Sequence, residues 1–492
     1  MMDIIHSNSY FNYCNCIVLS DDLWDDFSYR TTFNMSYYDK NGDRYMIGIV
    51  KIYYSGYDND ITKSSFYFIK STAEVIGSSI TQLDGNFCSL GQDLNYYINL
   101  KRLCPNNYIN ILRRLNDIAI DERLEKDFHG KKGVLTSLLR NSSAEKALKE
   151  ARNILEDEQL NTVKNLSFEY NTKVPYSEGR VKLKFDFEKN SCLPYRINVL
   201  IGKNGVGKTQ ILAHLAETLS GITTSETEIK DSFPNDRPLI NKIISISYSA
   251  FDEFRKRKAD NNDYQDISYA YCGIHSGDRT MSLIELKDNF KKSFGVILEK
   301  NRLSSWKKVM YELIEKEIID LIERNIDEID NIHFSSGQYI LLCTMTEVMA
   351  TIENESLLLF DEPELHLHPN AIASTMRMFY KLLEEFNSYA IFATHSPLIV
   401  QETPTRYIHV LSRIDNVLIA RKPMMECFGE NITNITDDIF DVNSSESNYK
   451  VILKNLSEKY SFNQVLKVFN EQLSLNALIY LKACYEYDEK FE

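Results

Sequence analysis

The chain has 492 residues, of which 43% are hydrophobic and 26% charged, with a net charge of −14. These are values of an ordinary globular protein, with room for roughly three domains of ~150 residues, and they exclude a disordered or low-complexity chain. No apolar run reaches the ~18 residues that cross a bilayer, residues 1–10 lack the pattern of a secretory leader, and the nine cysteines have no metal spacing, so a cytoplasmic chain with free thiols and no membrane partner is expected.

Residues 31–38 and 45–50 alternate in polarity and flank Asn41-Gly42, a hairpin signal. From about Leu94 the pattern turns helical, with Ile111, Leu112, Leu115 and Ile118 on one face. The segment 1–165 is expected to give edge strands to a nucleotide domain, plus a helical appendage.

An apolar strand, Ile197 to Ile201, then runs into Gly202-Lys203-Asn204-Gly205-Val206-Gly207-Lys208-Thr209 and a helix continuing through Gln210. Strand, glycine loop with Lys-Thr, and helix in that order form a P-loop. The glycines let successive N–H groups point inward and keep side chains away from phosphate oxygens, while the helix turns its positive end toward the anion. Lys208 is expected to reach the β- and γ-phosphates and Thr209 to bind Mg²⁺, so ATP and Mg²⁺ are the expected cofactors.

Residues 220–237 read as a polar loop and 242–249 as a strand. Residues 254–330 follow, with one amphipathic helix predicted over 307–325. The run Arg255-Lys256-Arg257-Lys258, with Lys287, Lys291, Lys292, Lys307 and Lys308, reads first as a solvated face; a basic nucleic-acid groove is the alternative. Residues 356–361 form an apolar strand ending in Asp361-Glu362-Pro363. Placed beside the P-loop strand, it would bring Asp361 to the Mg²⁺ and leave Glu362 one residue further out as general base. A second apolar strand, 390–394, ends in His395. Residues 407–411 and 416–420 form a closing hairpin, and two amphipathic helices are expected beyond about Asn448, packed on their own domain or docking a partner.

Phe334-Ser335-Ser336-Gly337-Gln338, just before a helix, resembles the signature motif of ABC-type ATPases, which faces the nucleotide of a second subunit. The order P-loop, signature, acidic strand, histidine strand is similar to the same family, where the histidine contacts the γ-phosphate. Residues 362–369 resemble the loop of RecF, SMC heads and OLD nucleases; His366 and His368 read as part of that interface loop rather than as a metal pair. The family's glutamine after the strand at 242–249 is missing, and Ser249 or Asp252 are the candidates to replace it.

The resemblance implies an α/β fold: a P-loop NTPase head of ABC type over 166–425, with a helical lobe inserted at about 254–338, a β-rich plus helical segment at 1–165 and C-terminal helices at 426–492. It implies Glu362, Lys208 and His395 as catalytic residues, Thr209 and Asp361 as metal ligands, and residues 202–210 with Ser335, Ser336, Gly337 and Gln338 around ATP. It also implies a head-to-tail dimer and higher homo-oligomers. Phe87-Cys88-Ser89-Leu90-Gly91-Gln92-Asp93, with Tyr96-Tyr97, and Phe428-Gly429-Glu430-Asn431-Ile432 resemble the ATPases of Septu anti-phage systems. That adds a separate HNH-type nuclease subunit, with DNA or other nucleic acid reached through the complex. The alternatives are an ATP-stabilised scaffold or sensor with little turnover, a DNA-repair or OLD-like ATPase, and, disfavoured by the large N-terminal segment, a transporter ATPase subunit.

Overall fold

The computed structural model describes all residues except 1, 10–12, 23–24, 27, 60–68, 157–165, 190–191, 222–225, 250–253, 255–267, 277–278, 441–447 and 489–492. The N-terminal strands build a five-stranded sheet in the order Asp3–His6, Cys16–Asp21, Thr32–Tyr38, Arg44–Tyr54, Phe87–Gly91. The first pair is parallel and the rest antiparallel. The expected hairpin is present, with Gly42 at φ +88° supplying the left-handed turn residue. Helices Leu94–Leu103, Tyr108–Arg114 and Ser142–Leu155 close one core with this sheet around Val50, Ile52, Leu90, Tyr96, Leu100 and Leu112. Because those helices bury the apolar face, the segment completes a sheet of its own, and the expectation that it lends edge strands to the nucleotide sheet is not met among the described residues.

The head is a seven-stranded sheet in the order Tyr269–Gly273, Ile243–Ser247, Leu357–Asp361, Tyr389–Thr394, Ile197–Gly202, Ile408–Ile414, Val417–Arg421. All neighbours are parallel except the closing hairpin. The four central strands are buried along their whole length, as their apolar runs require when both faces are covered. One face packs on the helical lobe and the long helices Ser336–Thr351 and Pro369–Glu385; the other packs on the P-loop helix Lys208–Ser220 and the hairpin Leu166–Thr172 with Val181–Phe187. The acidic strand does not lie beside the P-loop strand: the histidine strand Tyr389–Thr394 pairs with both and separates them. The gap is bridged because the P-loop helix starts above the carboxyl ends of these strands, so its first turn reaches the acidic strand.

Three local expectations also change. The stretch at 220–237 contains a helix, Glu226–Ser232. The single helix predicted over 307–325 is two, Leu303–Met310 and Lys316–Arg324. The break at 311–315 lets Val309 and Met310 from one, and Ile319 and Ile322 from the other, enter the same core, while Tyr311 donates back to Asp320 at 2.8 Å and Lys307 pairs with Asp320 at 2.7 Å. From Asn448 on, the described residues form three helices, Asn448–Ser457, Phe462–Val468 and Leu475–Asp488, gathered around Leu453, Val465, Ala477 and Leu481.

A buried charge network joins the N-terminal domain to the head. The fully buried Asp26 accepts from Arg140 at 2.6 Å, from Lys51 at 2.6 Å and from Ser137 at 2.7 Å. Arg140 also donates to the carbonyl of Gly221 at 2.6 Å. Gly221 caps the carboxyl end of the P-loop helix at φ +69°, and a Cβ there would stand 2.4 Å from the Arg140 carbonyl oxygen. A guanidinium at this end complements the helix dipole. Arg237 bonds the Arg140 carbonyl at 3.0 Å and Glu145 at 2.6 Å, and Ser142 bonds the Ile240 carbonyl at 3.0 Å.

Burial alone would raise the Asp26 pKa, but Lys51 and Arg140 hold it below the ordinary aspartate value. The carboxylate therefore contributes stability at neutral pH that is lost as pH falls below the usual aspartate range. Asp26→Ala leaves two buried cations without their shared partner and is expected to cost about 3–5 kcal/mol, read as a lower urea midpoint. The variant should also lose part of the wild type's sensitivity to acid.

Candidate nucleotide site

The site forms where the carboxyl ends of three central strands meet the first turn of the P-loop helix. Gly202 ends its strand against the neighbouring one, where a Cβ would lie 2.3 Å from the Leu411 carbonyl oxygen. Gly205 and Gly207 carry φ of +79° and +103°, conformations that L side chains rarely adopt. Lys203, Asn204 and Gly205 are exposed, Val206 is buried, and Gly207 caps the helix that opens with Lys208, Thr209 and Gln210. The loop predicted to cradle phosphates is thus open to solvent, with a helix N-terminus behind it.

Lys208 folds back over this loop, its amine 2.9 Å from the Gly202 carbonyl oxygen and 3.0 Å from Nε2 of His395. Burial pulls the amine down to about 8, against the opposing influence of Asp361, Glu362 and Glu364. Thr209 Oγ1 donates to Asp361 Oδ2 at 2.8 Å. Glu362 lies 3.3 Å from the His395 ring, and that interaction holds its carboxyl below the usual range. Glu362 also has a left-handed backbone, φ +53°, with its N–H bonded to the Ala393 carbonyl at 2.8 Å. Such a backbone is uncommon for a residue with a side chain and turns the carboxylate back toward the P-loop.

The structure therefore brings Lys208, Thr209, Asp361, Glu362 and His395 together. The sequence reading passed over one further residue there, Glu364, whose Oε1 accepts from Thr394 Oγ1 at 2.6 Å and from the His395 N–H at 2.9 Å. No periodicity marks it, since it lies in a turn; only the density of acids after the strand hinted at it. Thr209 and Asp361 offer two hard oxygens beside the phosphate loop, a donor set that fits Mg²⁺, which takes few protein ligands and completes its shell with phosphate and water.

The signature residues lie apart from this cluster. Ser335 caps helix Ser336–Thr351 through a reciprocal bond with Gln338, and Ser335 and Ser336 are exposed. Gly337 is buried against the loop after Glu364: a Cβ would meet the His366 carbonyl oxygen at 2.3 Å. Among the described residues no hydrogen bond or ion pair joins residues 335–338 to the P-loop of the same chain. His366 has φ +68° and His368 caps helix Pro369–Glu385; no group of three or more potential metal ligands occurs among the described residues.

Asp252 and the run 255–258 lie outside the described residues, and Ser249 donates its N–H to Ser247 Oγ at 3.1 Å. Of the other lysines in the basic stretch, Lys291 pairs with Asp327, Lys307 with Asp320 at 2.7 Å, and Lys308 with Glu385 at 3.2 Å. Beside the P-loop, an open cleft of about 900 Å³ is lined by Val174, Tyr176, Arg180, Glu228 and Asn416 among others. Val174 would sit 3.1 Å from a Cβ on Gly207, and Tyr176 is 90% exposed.

Residues 223–401 match the family described as "AAA domain, putative AbiEii toxin, Type IV TA system"; the match begins after the P-loop, so the phosphate loop stands on its own geometry. Protein ea59 of Escherichia phage lambda is 29% identical over an alignment of 510 positions, covering 95% of this chain and 94% of that protein. Among solved structures, cbiO1 of Clostridium perfringens, part of the ABC transporter complex cbiONQ, is 12% identical with a TM-score of 0.29, covering 62% of this chain and 99% of its own. The SMC head domain from Thermotoga maritima is 10% identical with a TM-score of 0.27, covering 54% and 100%. Among the described residues no helix is long and apolar enough to cross a membrane. Strand order, phosphate loop, and acidic and histidine strand ends together give this chain a parallel α/β fold of P-loop type.

Proposed function

We propose that the protein binds and hydrolyses ATP between two copies of itself and that this cycle controls a separate nuclease effector in anti-phage defence. The observation that carries the reading is the 2.8 Å contact between Thr209 and Asp361, 152 positions apart in sequence, with Lys208 and Glu362 on the same edge. A bound Mg²⁺, held by Thr209 and Asp361, would neutralise phosphate charge. Lys208 would hold the β- and γ-phosphates, Glu362 would orient and deprotonate the attacking water, and His395 would contact the γ-phosphate.

The exposed Ser335 and Ser336 suit a phosphate carried by a second copy, since among the described residues no hydrogen bond or ion pair joins them to the P-loop of their own chain. The effector and the defence role rest on the resemblance to Septu ATPases, and the toxin–antitoxin wording of the matched family is compatible with a two-component system. The test is phosphate release by the purified protein with MgATP, together with sedimentation with and without nucleotide and co-purification of an HNH-type nuclease from its natural host.

The cleft shares Val174 with the surroundings of Gly207, and a base laid there would meet Tyr176. Tyr176→Ala is expected to weaken ATP binding by about 1–3 kcal/mol, the usual worth of one base–aromatic stack, while leaving inorganic triphosphate binding unchanged; calorimetric titration reads both. A second reading, an ATP-fixed scaffold with little turnover, is favoured by the His395 contact that already occupies the Glu362 carboxylate. A single-turnover assay separates the two.

A further inference from the structure

We infer that Glu364 is the residue that positions His395 in the nucleotide site. This rests on reading the cluster as an ATP site. The His395 ring otherwise touches Lys208 and Glu362, both of which take new partners when a triphosphate and its attacking water arrive. What stays constant through that exchange is the backbone anchor: one carboxylate oxygen of Glu364 accepts the His395 N–H at 2.9 Å and the Thr394 hydroxyl at 2.6 Å, and that hydroxyl accepts the Ser396 N–H at 2.9 Å. Two consecutive residues at the end of the histidine strand are thus pinned to one oxygen, and the third, Ser396, is tied to it through the Thr394 hydroxyl.

The anchor is itself held in a tight turn. Leu365 N–H bonds the Glu362 carbonyl at 3.0 Å, Leu367 N–H bonds the Glu364 carbonyl at 3.0 Å, and Glu362 N–H bonds Ala393 at 2.8 Å. Glu362 and Glu364 therefore grip the same strand end, one by backbone and one by side chain, and fix the distance between the general base and the histidine. The second oxygen of Glu364 is buried without a hydrogen-bond partner among the described residues. A buried acceptor without a donor is costly in a residue kept for packing alone.

The test compares Glu364→Ala, Glu364→Gln, His395→Ala and the double variant Glu364→Ala/His395→Ala in the full chain. Glu364→Ala is expected to lower kcat about 10²-fold with KM little changed, as a displaced group does. Glu364→Gln keeps an oxygen that accepts both bonds and should restore most of the rate. The double variant should be no slower than His395→Ala. In nucleotide-free protein with labelled histidine, the His395 ring resonance, assigned through His395→Gln, should move in Glu364→Ala and stay in Glu364→Gln. An unmoved resonance, a wild-type kcat in Glu364→Ala, or losses that multiply in the double variant would overturn the inference. If the wild type fails to turn over ATP, the ATP reading falls, while the resonance still decides the role of Glu364.

Discussion

Replacing Glu362 by glutamine is expected to lower ATP hydrolysis about 10²- to 10⁴-fold, the contribution of a positioned general base, while leaving ATP binding intact. Glutamine keeps the shape and the left-handed backbone, so the loss reports on the carboxylate itself. A protein that binds ATP and does not split it should also accumulate as the nucleotide-held dimer. Phosphate release in a single turnover and sedimentation velocity with MgATP measure the two halves of this prediction. An unchanged single-turnover rate would remove Glu362 from catalysis.

Lys208→Ala and Ser336→Arg are expected to be inactive for different reasons, and mixing them should return activity. The first variant lacks the cation that holds the transferred phosphate, a loss of about 10²- to 10³-fold for one such contact. The second places a bulky cation on an exposed residue of the signature helix, where it blocks phosphate from the partner without disturbing the core. In a head-to-tail dimer each site draws its P-loop from one copy and its signature from the other. An equal mixture then contains mixed dimers with one intact site, and activity should recover to about a quarter of wild type. No recovery would mean that the signature helix does not serve a second copy.

The chemistry-bearing segments were legible because each is short and local. The glycine spacing at 202–207, the apolar run ending at Asp361-Glu362 and the run ending at His395 carry their meaning within a few residues, and the structure brings Lys208, Thr209, Asp361, Glu362 and His395 close together. Strand order was not legible, since both apolar runs are equally fit to lie beside the P-loop strand and only the pairing in space shows the histidine strand between. The break at 311–315 escaped for a related reason. Apolar residues on either side keep a helical period, and what divides them is the demand that both halves bury in one core. Glu364 was hidden because its partners, Thr394 and the His395 N–H, are 30 and 31 residues away. The N-terminal sheet misled because its strands look like any edge strand until the helices at 94–103, 108–114 and 142–155 are seen to cover them.

The junction around Arg140 makes the molecule hard to divide. Cutting between residues 155 and 166 would strip the tail of the P-loop helix of the guanidinium at the Gly221 carbonyl and leave Arg237 without Glu145. On the other side of the cut, Arg140, Ser142 and Lys146 would lose Gly221, Ile240 and Glu355. Each fragment would present polar groups shaped for the missing half, so the P-loop portion produced by itself is expected to be insoluble or slack at the helix Lys208–Ser220.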